Sequence, residues 1–444
     1  MAIIYENKVK ELGKDIMMMN GGDFIIIFGD SAPAELRDYC YSVDVNPING
    51  EIKAGQTLKI DENEYKITCV GEEAPVTLAG LGHCTIRFNG MTEAELPGTL
   101  YVEEKPVPEP KRAEVLIHVD AVAICATDLE IIKNGPPALI QGGLPFNKGF
   151  TPGHEYMGTI VKLGPGVDEY KVGDRVAVEI HAGCDSCERC REGMYTSCLN
   201  YGQNYEGHDK GHRANGFTTD GGFAEYVINS VKTLCHVGDN VTDEEATLIV
   251  TAGTAMYGLD TLGGLFAGQS LVVTGPGPIG LMAVAVAKTL GANPVILTGT
   301  RDNRLELGKK LGADYTINVR NENVVEKVKE LTNGEGVHYV MECSGAPNAV
   351  NEAAAMVKRG GKVCLAAFPS KPVEVDVAAL VRNNISLFGI RGEGRSAVHR
   401  AASLISEKRF DASLIHTHTF KFDELLTALK YSRERIDDAI KVVV

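Results

Sequence analysis

The pattern of apolar and polar positions changes twice along the chain. Up to about residue 100, short apolar runs such as Phe24–Phe28 (FIIIF) and Cys84–Phe88 (CTIRF) are broken by Gly, Asn and Pro, which predicts strands joined by turns. Three prolines then space out residues 105–110 (KPVPEP), an extended stretch. From about 111 to 245, short β-like runs continue among Gly-rich turns. From about 247, apolar strands alternate with helical segments: 270–274 then 279–290, and 294–298 then 304–311. Later strands are predicted at 337–343, 362–368 and 385–390. Such alternation implies a parallel sheet built from βαβ units. Beyond 392 the pattern predicts a helix at 397–405 and a last amphipathic segment.

Composition bounds the partners. A chain of 444 residues has room for about three domains. With 44% hydrophobic and 23% charged residues it has the makeup of a folded protein with large cores. Its net charge of −15 repels phosphate backbones, so nucleic acid is not an expected partner. No stretch reaches the ~18 apolar residues of a membrane span, and the opening MAIIYENKVKELGKD lacks a secretory pattern. The expected compartment is the cytoplasm, where thiols stay reduced. That changes the meaning of the 11 cysteines: four crowd into residues 184–198 and point to metal, not to disulfides.

Cys184, Cys187, Cys190 and Cys198 form C-x2-C-x2-C-x7-C. Four thiolates complete a tetrahedral zinc shell and leave no open position, so this zinc is expected to be structural. A second set is thinner. Cys125 lies in ICATD, and His154 and Glu155 lie in PGHE. Taken singly, a Cys is usually a small core residue, and a His-Glu pair after Gly is often a turn with a surface charge. Together, a thiolate, an imidazole and a carboxylate suit a zinc with a free position, which would polarise a substrate oxygen. Thr127 is placed to pass on a proton, and Asp128 to orient a ligand.

Gly275-Pro276-Gly277-Pro278-Ile279-Gly280 follows one predicted strand and opens a helix. This is G-x-G-x-x-G in the context that binds a dinucleotide pyrophosphate on a helix N-terminus. An NAD site usually places a carboxylate ~20 residues on. Here Gly299, Thr300 and Arg301 stand at the end of the second strand. Gly299 is read as leaving room for a 2′-phosphate, with Thr300 and Arg301 as its partners, so NADP is expected over NAD. Asp302 is read as the cap of the following helix.

From about residue 100 onward, the order ICATD, PGHE, four-Cys lobe, GGFAEY (221–226) and GPGPIG resembles the zinc-containing medium-chain alcohol, polyol and threonine dehydrogenases. The resemblance implies a GroES-like catalytic domain to which the chain returns, a Rossmann nucleotide domain, hydride transfer to nicotinamide, and homodimers or homotetramers. Two positions depart from it. Many members carry a further Cys or Glu in the segment matching 248–253, where Val250 and Thr251 stand here. Many also carry a relay His five residues after the first Cys, where Glu130 stands here.

The first hundred residues are similar to the enzyme IIA component of the glucitol/sorbitol phosphotransferase system. The matching stretches are FGDSAPAEL (28–36), LGHCTIRF (81–88) and AELPGT (94–99). The family's phosphorylated His is expected just after the segment matching Asp38-Tyr39-Cys40-Tyr41. Ser42, Val43 and Asp44 follow here, and within residues 1–115 the one imidazole is His83. It is read either as a phosphoryl acceptor or as a structural residue on a strand.

The expected fold is α/β: a β-rich domain (1–100), a GroES-like β-rich catalytic domain (101–246 with 392–444), and a Rossmann doubly wound parallel sheet (247–391). The expected activity is zinc-dependent oxidation of a secondary alcohol on a polyol or polyol phosphate, with two zinc ions per chain. Phosphotransferase-system proteins are the expected protein partners, from the fusion alone. The alternatives are a threonine-type amino-alcohol dehydrogenase, and a phosphocarrier whose dehydrogenase part is inactive.

Overall fold

The computed structural model describes residues 3–15, 24–61, 63–103, 107–134, 150–200, 204–205, 208–209, 213–369 and 371–444. Part of the proline-spaced stretch, residues 105–106, lies outside these. The chain forms two compact units, 1–107 and 108–444.

The first unit is built on a seven-stranded sheet. Its core strands are Phe24–Phe28, Cys84–Phe88, Thr99–Val102 and Asn63–Val70, with shorter strands at either edge. Cys84, Ile86, Leu100, Val102 and Ile67 alternate inward and pack under the helix Ala74–Leu81 through Ala74 and Leu78. Gly82 ends that helix in the left-handed conformation (φ +64°) and hands the chain to His83 and the next strand. The strands at 84–88 and 99–102 both belong to this sheet.

The second unit holds two large sheets. One is antiparallel for the most part and centres on the long strands Glu114–Ala123 and Glu155–Leu163. The chain returns to it at the far end: Lys441–Val443 pairs with Glu114–Ala123, and His416–Thr419 lies beside it. The other sheet is parallel throughout, in the order 315–318, 295–299, 271–274, 337–342, 357–365, 386–389. That is the doubly wound order 3-2-1-4-5-6, whose ligand crevice lies between the first and fourth strands. The buried runs LVVT (271–274) and VILTG (295–299) carry no polar alternation, as strands covered on both faces require.

The strand Tyr315–Asn318 and the helix Val324–Leu331 have no counterpart in the pattern reading. The strand is short and half exposed, which leaves little periodicity to detect. Among the described residues, no helix is long and apolar enough to cross a membrane.

Candidate active site and metal centres

Cys125 precedes the helix Ala126–Asn134, and Asp128 stands at its third position. The Asp128 carboxylate reaches back to accept the Cys125 amide (2.9 Å), which satisfies an orphan N–H of the helix start. The same carboxylate accepts from the Gly153 amide (3.2 Å) and from His154 Nδ1 (2.9 Å). Asp128 has no exposed surface, so its charge needs all three partners. Because Nδ1 donates to Asp128, Nε2 is the ring nitrogen left for a metal.

Gly153 has φ +91°, and a Cβ there would sit 2.8 Å from the Phe223 amide nitrogen. Only glycine fits. The segment GGF (221–223) forms the platform behind it: Gly222 N–H donates to Gly153 O (2.7 Å) and Phe223 N–H to Pro152 O (3.1 Å). The tight turn places His154 and Glu155 at the head of the strand Glu155–Leu163. One ligand atom each of Cys125, His154 and Glu155 lies within 4.8 Å of the others. This donor set is one thiolate, one imidazole and one carboxylate, and it suits a zinc ion with one position open.

Glu155 is held from both sides. Thr251 Oγ1 donates to its Oε1 (3.1 Å), and Lys441 Nζ to its Oε2. Each oxygen keeps a second lone pair for a ligand bond. Burial disfavours the Lys441 charge, but the fields of Glu155 and Cys125 outweigh it and raise its pKa. His154 behaves alike: burial opposes its cation, while Asp128 and Cys125 hold its pKa well above the usual imidazole value. The pocket is built for positive charge. Thr127 Oγ1 lies 3.8 Å from Cys125 Sγ. Val250 packs with Ile180 and Ala214 instead of facing the ligands as a donor.

Behind His154 stands an aromatic wall. Phe217 lies 4.5 Å from the His154 ring and 6.3 Å from His181, centroid to centroid. The same unit holds the buried carboxylates Glu179 and Glu393. Tyr195 OH donates to Glu179, and burial, reinforced by Glu393, pushes the Glu179 carboxyl up to about 8. Thr254 Oγ1 donates to Glu393 Oε1 (3.1 Å).

The four-Cys lobe is preformed. Cys184 and Cys190 Sγ lie 4.0 Å apart, as do those of Cys187 and Cys198. Zinc–sulfur bonds of about 2.3 Å call for edges of about 3.8 Å. Asp185 takes φ +57°, turning the chain so that the Cys187 amide donates to Cys184 Sγ (3.4 Å). Burial opposes the Cys184 thiolate, but donors from Ser186, Cys187 and Asn200 prevail and lower its pKa to about 5.

At the nucleotide fingerprint the three glycines have three reasons. A Cβ on Gly275 (φ +85°) would meet Ser344 at 2.8 Å, where the loops of the first and fourth strands touch. A Cβ on Gly280 would strike Gly275 O at 2.1 Å. At Gly277 the Cβ direction is open, as close approach of a pyrophosphate requires. Gly277 precedes the helix Pro278–Thr289 with no side-chain cap, so its first amides face outward for an anion, with Pro278 and Ile279 in the first turn.

Two readings at the second strand need correction. Gly299 does not open space for a phosphate: its Cβ direction points at Pro276 Cδ, 2.5 Å away, so the glycine admits the fingerprint loop. Asp302 does not cap the helix Asp302–Lys310: Arg301 is the N-cap residue, and Asp302 Oδ1 accepts from Asn318 Nδ2 (2.6 Å). Thr300 is exposed beside it. Sequence reasoning missed Arg304 and Arg435. Burial lowers the pKa of Arg301 and takes Arg304 down to about 10, with Arg435 adding repulsion to both. Arg304 also donates to Ala439 O (2.6 Å), tying this pocket to the returning segment.

In the first unit, His83 Nδ1 lies 3.2 Å from Ile27 O, and its ring lies 4.4 Å from that of Phe28. The Phe28 carbonyl accepts from the Val43 amide (3.0 Å). His83 is therefore one residue layer from Val43, in the stretch where the related family's His is expected.

The doubly wound sheet and the Cys-His-Glu group beside a GroES-like sheet define a zinc-type dehydrogenase. Comparison with known proteins agrees. Residues 111–240 match the alcohol dehydrogenase GroES-like domain, and 278–407 match the zinc-binding dehydrogenase family. Residues 4–117 match the glucitol/sorbitol-specific IIA component of the PTS system. The chain is 36% identical over 342 residues to L-threonine 3-dehydrogenase of Pyrococcus horikoshii, covering 74% of this chain and 91% of that one. It is 33% identical over 344 residues to sorbitol dehydrogenase of Bacillus subtilis, covering 77% and 93%. A zinc-binding dehydrogenase from Sinorhizobium meliloti bound to NADP superposes with a TM-score of 0.67 at 26% identity, over 79% of this chain and 97% of that one. The chain belongs to the zinc-binding medium-chain alcohol/polyol dehydrogenase family, here joined to a glucitol/sorbitol-type IIA domain.

Proposed function

We propose that the second unit catalyses reversible, NADP(H)-dependent oxidation of a secondary alcohol on a polyol or polyol phosphate. The observation that carries this is the convergence of Cys125, His154 and Glu155 in a chain that also matches a glucitol/sorbitol IIA component. A zinc held by these three residues would act as a Lewis acid on the substrate oxygen. Asp128 keeps the His154 ring and the Cys125 loop in place, and Thr127 takes the hydroxyl proton onward. The amides after Gly277 hold the pyrophosphate. A bound nicotinamide would supply the hydride acceptor that converts the alcohol to a ketone.

NADP is favoured because Arg301, Arg304 and Arg435 gather at the end of the second strand, where Asp438 balances only part of their charge and Asp302 is engaged by Asn318. A 2′-phosphate would relieve the repulsion among the arginines. The four-Cys lobe takes the second, structural zinc. In the first unit, a ring nitrogen facing a carbonyl must carry the proton, so Nε2 of His83 is its nucleophile toward a phosphoryl group. The reading places the protein in the cytoplasm, where its thiolates stay reduced. A second reading, a threonine-type dehydrogenase, is favoured by the 36% identity to the Pyrococcus horikoshii enzyme.

The test uses the purified full chain with sorbitol, sorbitol phosphate or threonine and either cofactor, followed at the nicotinamide absorbance with zinc counted per chain. Turnover of a polyol with NADP and two zinc ions supports the first reading. Turnover of threonine alone supports the second. Phosphotransfer lost in His83→Ala, with no redox turnover on any substrate, would leave the carrier reading.

A further inference from the structure

A tetrahedral ion held by Cys125, His154 and Glu155 offers one position to an incoming oxygen. The hydroxyl that enters there brings a proton; Thr127, a neutral hydroxyl, can relay a proton but cannot keep one, so the site also needs an anionic acceptor. Among the described residues, three buried side-chain atoms lack a hydrogen-bond partner, and Glu393 Oε2 is the one carboxylate oxygen among them. Glu393 has no exposed surface. A fully buried, half-satisfied carboxylate costs stability unless something else completes it.

Its surroundings connect it to the metal group. Glu393 feels the fields of both His154 and Glu155. Its neighbours fix its loop: a Cβ on Gly392 would meet the His181 ring, and one on Gly394 would meet Tyr257. Thr254, which holds Glu393, lies one helical turn from Thr251, which holds Glu155. His181 faces Phe217, and Phe217 faces His154. Oε1 is pinned by Thr254, one helical turn beyond Val250, which leaves Oε2 as the oxygen with capacity to spare. At the corresponding start of that helix, Val250 and Thr251 offer no carboxylate of their own.

We propose that Glu393 Oε2 accepts the hydrogen bond of the hydroxyl that enters the open side of the Cys125–His154–Glu155 group. In the resting protein that hydroxyl belongs to a water, and in turnover to the polyol. Glu393 thereby orients the substrate oxygen and rejects a substrate that brings no proton to that point. The inference rests on the alcohol-oxidation reading given above, and deepens it by naming the substrate's acceptor. It also accounts for a buried acid delivered by the segment that crosses back from the nucleotide sheet.

The experiment uses the full chain with Co(II) in place of zinc, and sorbitol as the probe. Wild type, Glu393→Gln and Thr254→Val are compared by the visible d–d spectrum during sorbitol titration, by metal count, and by steady-state kinetics with zinc. The expected result is an unchanged metal count in Glu393→Gln, with at least ten-fold more sorbitol needed for the spectral change. Its kcat/KM should fall about ten- to hundred-fold, mostly through KM, as expected for a lost charged hydrogen bond. Thr254→Val keeps the carboxylate but loosens its aim, and should weaken sorbitol several-fold. Glu393→Gln that binds and turns over sorbitol within two-fold of wild type overturns the proposal alone, as does loss of metal from that variant. If Glu393→Gln does not fold, an unaltered Thr254→Val overturns it. A wild type that neither responds to sorbitol nor oxidises it overturns the polyol reading, and this proposal with it.

Discussion

Lys441 and Glu155 form a buried ion pair between residues 286 positions apart in sequence. The pair links the strand that delivers a candidate metal ligand to the strand by which the chain rejoins its first large sheet. Breaking such a pair from one side leaves a charge without a counterion, and typically costs about 3–5 kcal/mol. Lys441→Met is expected to lower stability by about that amount in urea titration, and to weaken metal retention in a chelator competition. Lys441→Arg, which keeps the charge, should recover most of the metal affinity.

The arginine cluster predicts a cofactor effect that separates two roles. Arg301→Ala and Arg435→Ala should each raise KM for NADP by ten-fold or more and change KM for NAD by less than two-fold. A single lost phosphate contact of the charged kind is worth about 1.5–3 kcal/mol. Equal losses with both cofactors would place the arginines outside the 2′-phosphate pocket.

Gly280 predicts a steric effect with no chemical ambiguity. A methyl group there would lie 2.1 Å from the Gly275 carbonyl oxygen, which is backbone and cannot rotate away. Gly280→Ala should therefore force the helix Pro278–Thr289 off its strand. The expected signature is a loss of about 2 kcal/mol or more in denaturant unfolding, together with loss of cofactor binding by fluorescence titration. Gly277→Ala has open space, so its fold should survive while cofactor binding weakens.

Glu179 predicts a pH dependence. Its folded carboxyl is raised to about 8 from an ordinary 4.5, because burial disfavours the anion and Glu393 repels it. The folded state thus holds a proton that the unfolded chain releases. Stability on this account is full below about 4.5, falls as pH rises toward 8, and is flat above it. Glu179→Gln should remove that slope, giving a variant relatively more stable at pH 8.5 than at pH 5, by up to a few kcal/mol. The Gln amide keeps a carbonyl oxygen that accepts from Tyr195, so the substitution acts on the titration and leaves that hydrogen bond in place. Urea midpoints at the two pH values measure the difference.

Much of the architecture was written in local pattern. The βαβ alternation after residue 270 is legible because each buried strand is a continuous apolar run with a Gly-rich stop. The candidate ligand residues are legible because Cys, His and Glu sit in short turns with fixed neighbours. What escaped was long-range. Lys441 opens an apolar strand, and nothing local marks its partner at Glu155. Thr251 reads as an absent ligand, yet its hydroxyl serves the carboxylate that Glu155 supplies. Arg435 and Glu393 reach their sites only because the chain crosses between sheets, and no periodicity encodes a crossing. The Gly299 misreading has the same origin: composition shows a missing side chain, but only the backbone direction shows that the vacated volume belongs to Pro276.

Asp128 ties together two loops that approach from separate parts of the chain, through the Cys125 amide, the Gly153 amide and the His154 ring. Neither loop can drift without dragging the other. Two of the three candidate donors are therefore brought together by the fold itself, and the entropy of gathering them is spent during folding. An ion whose preferred geometry differed from this arrangement would have to break those bonds, so rigidity would weigh on the choice among similar dications beside the identity of the donors.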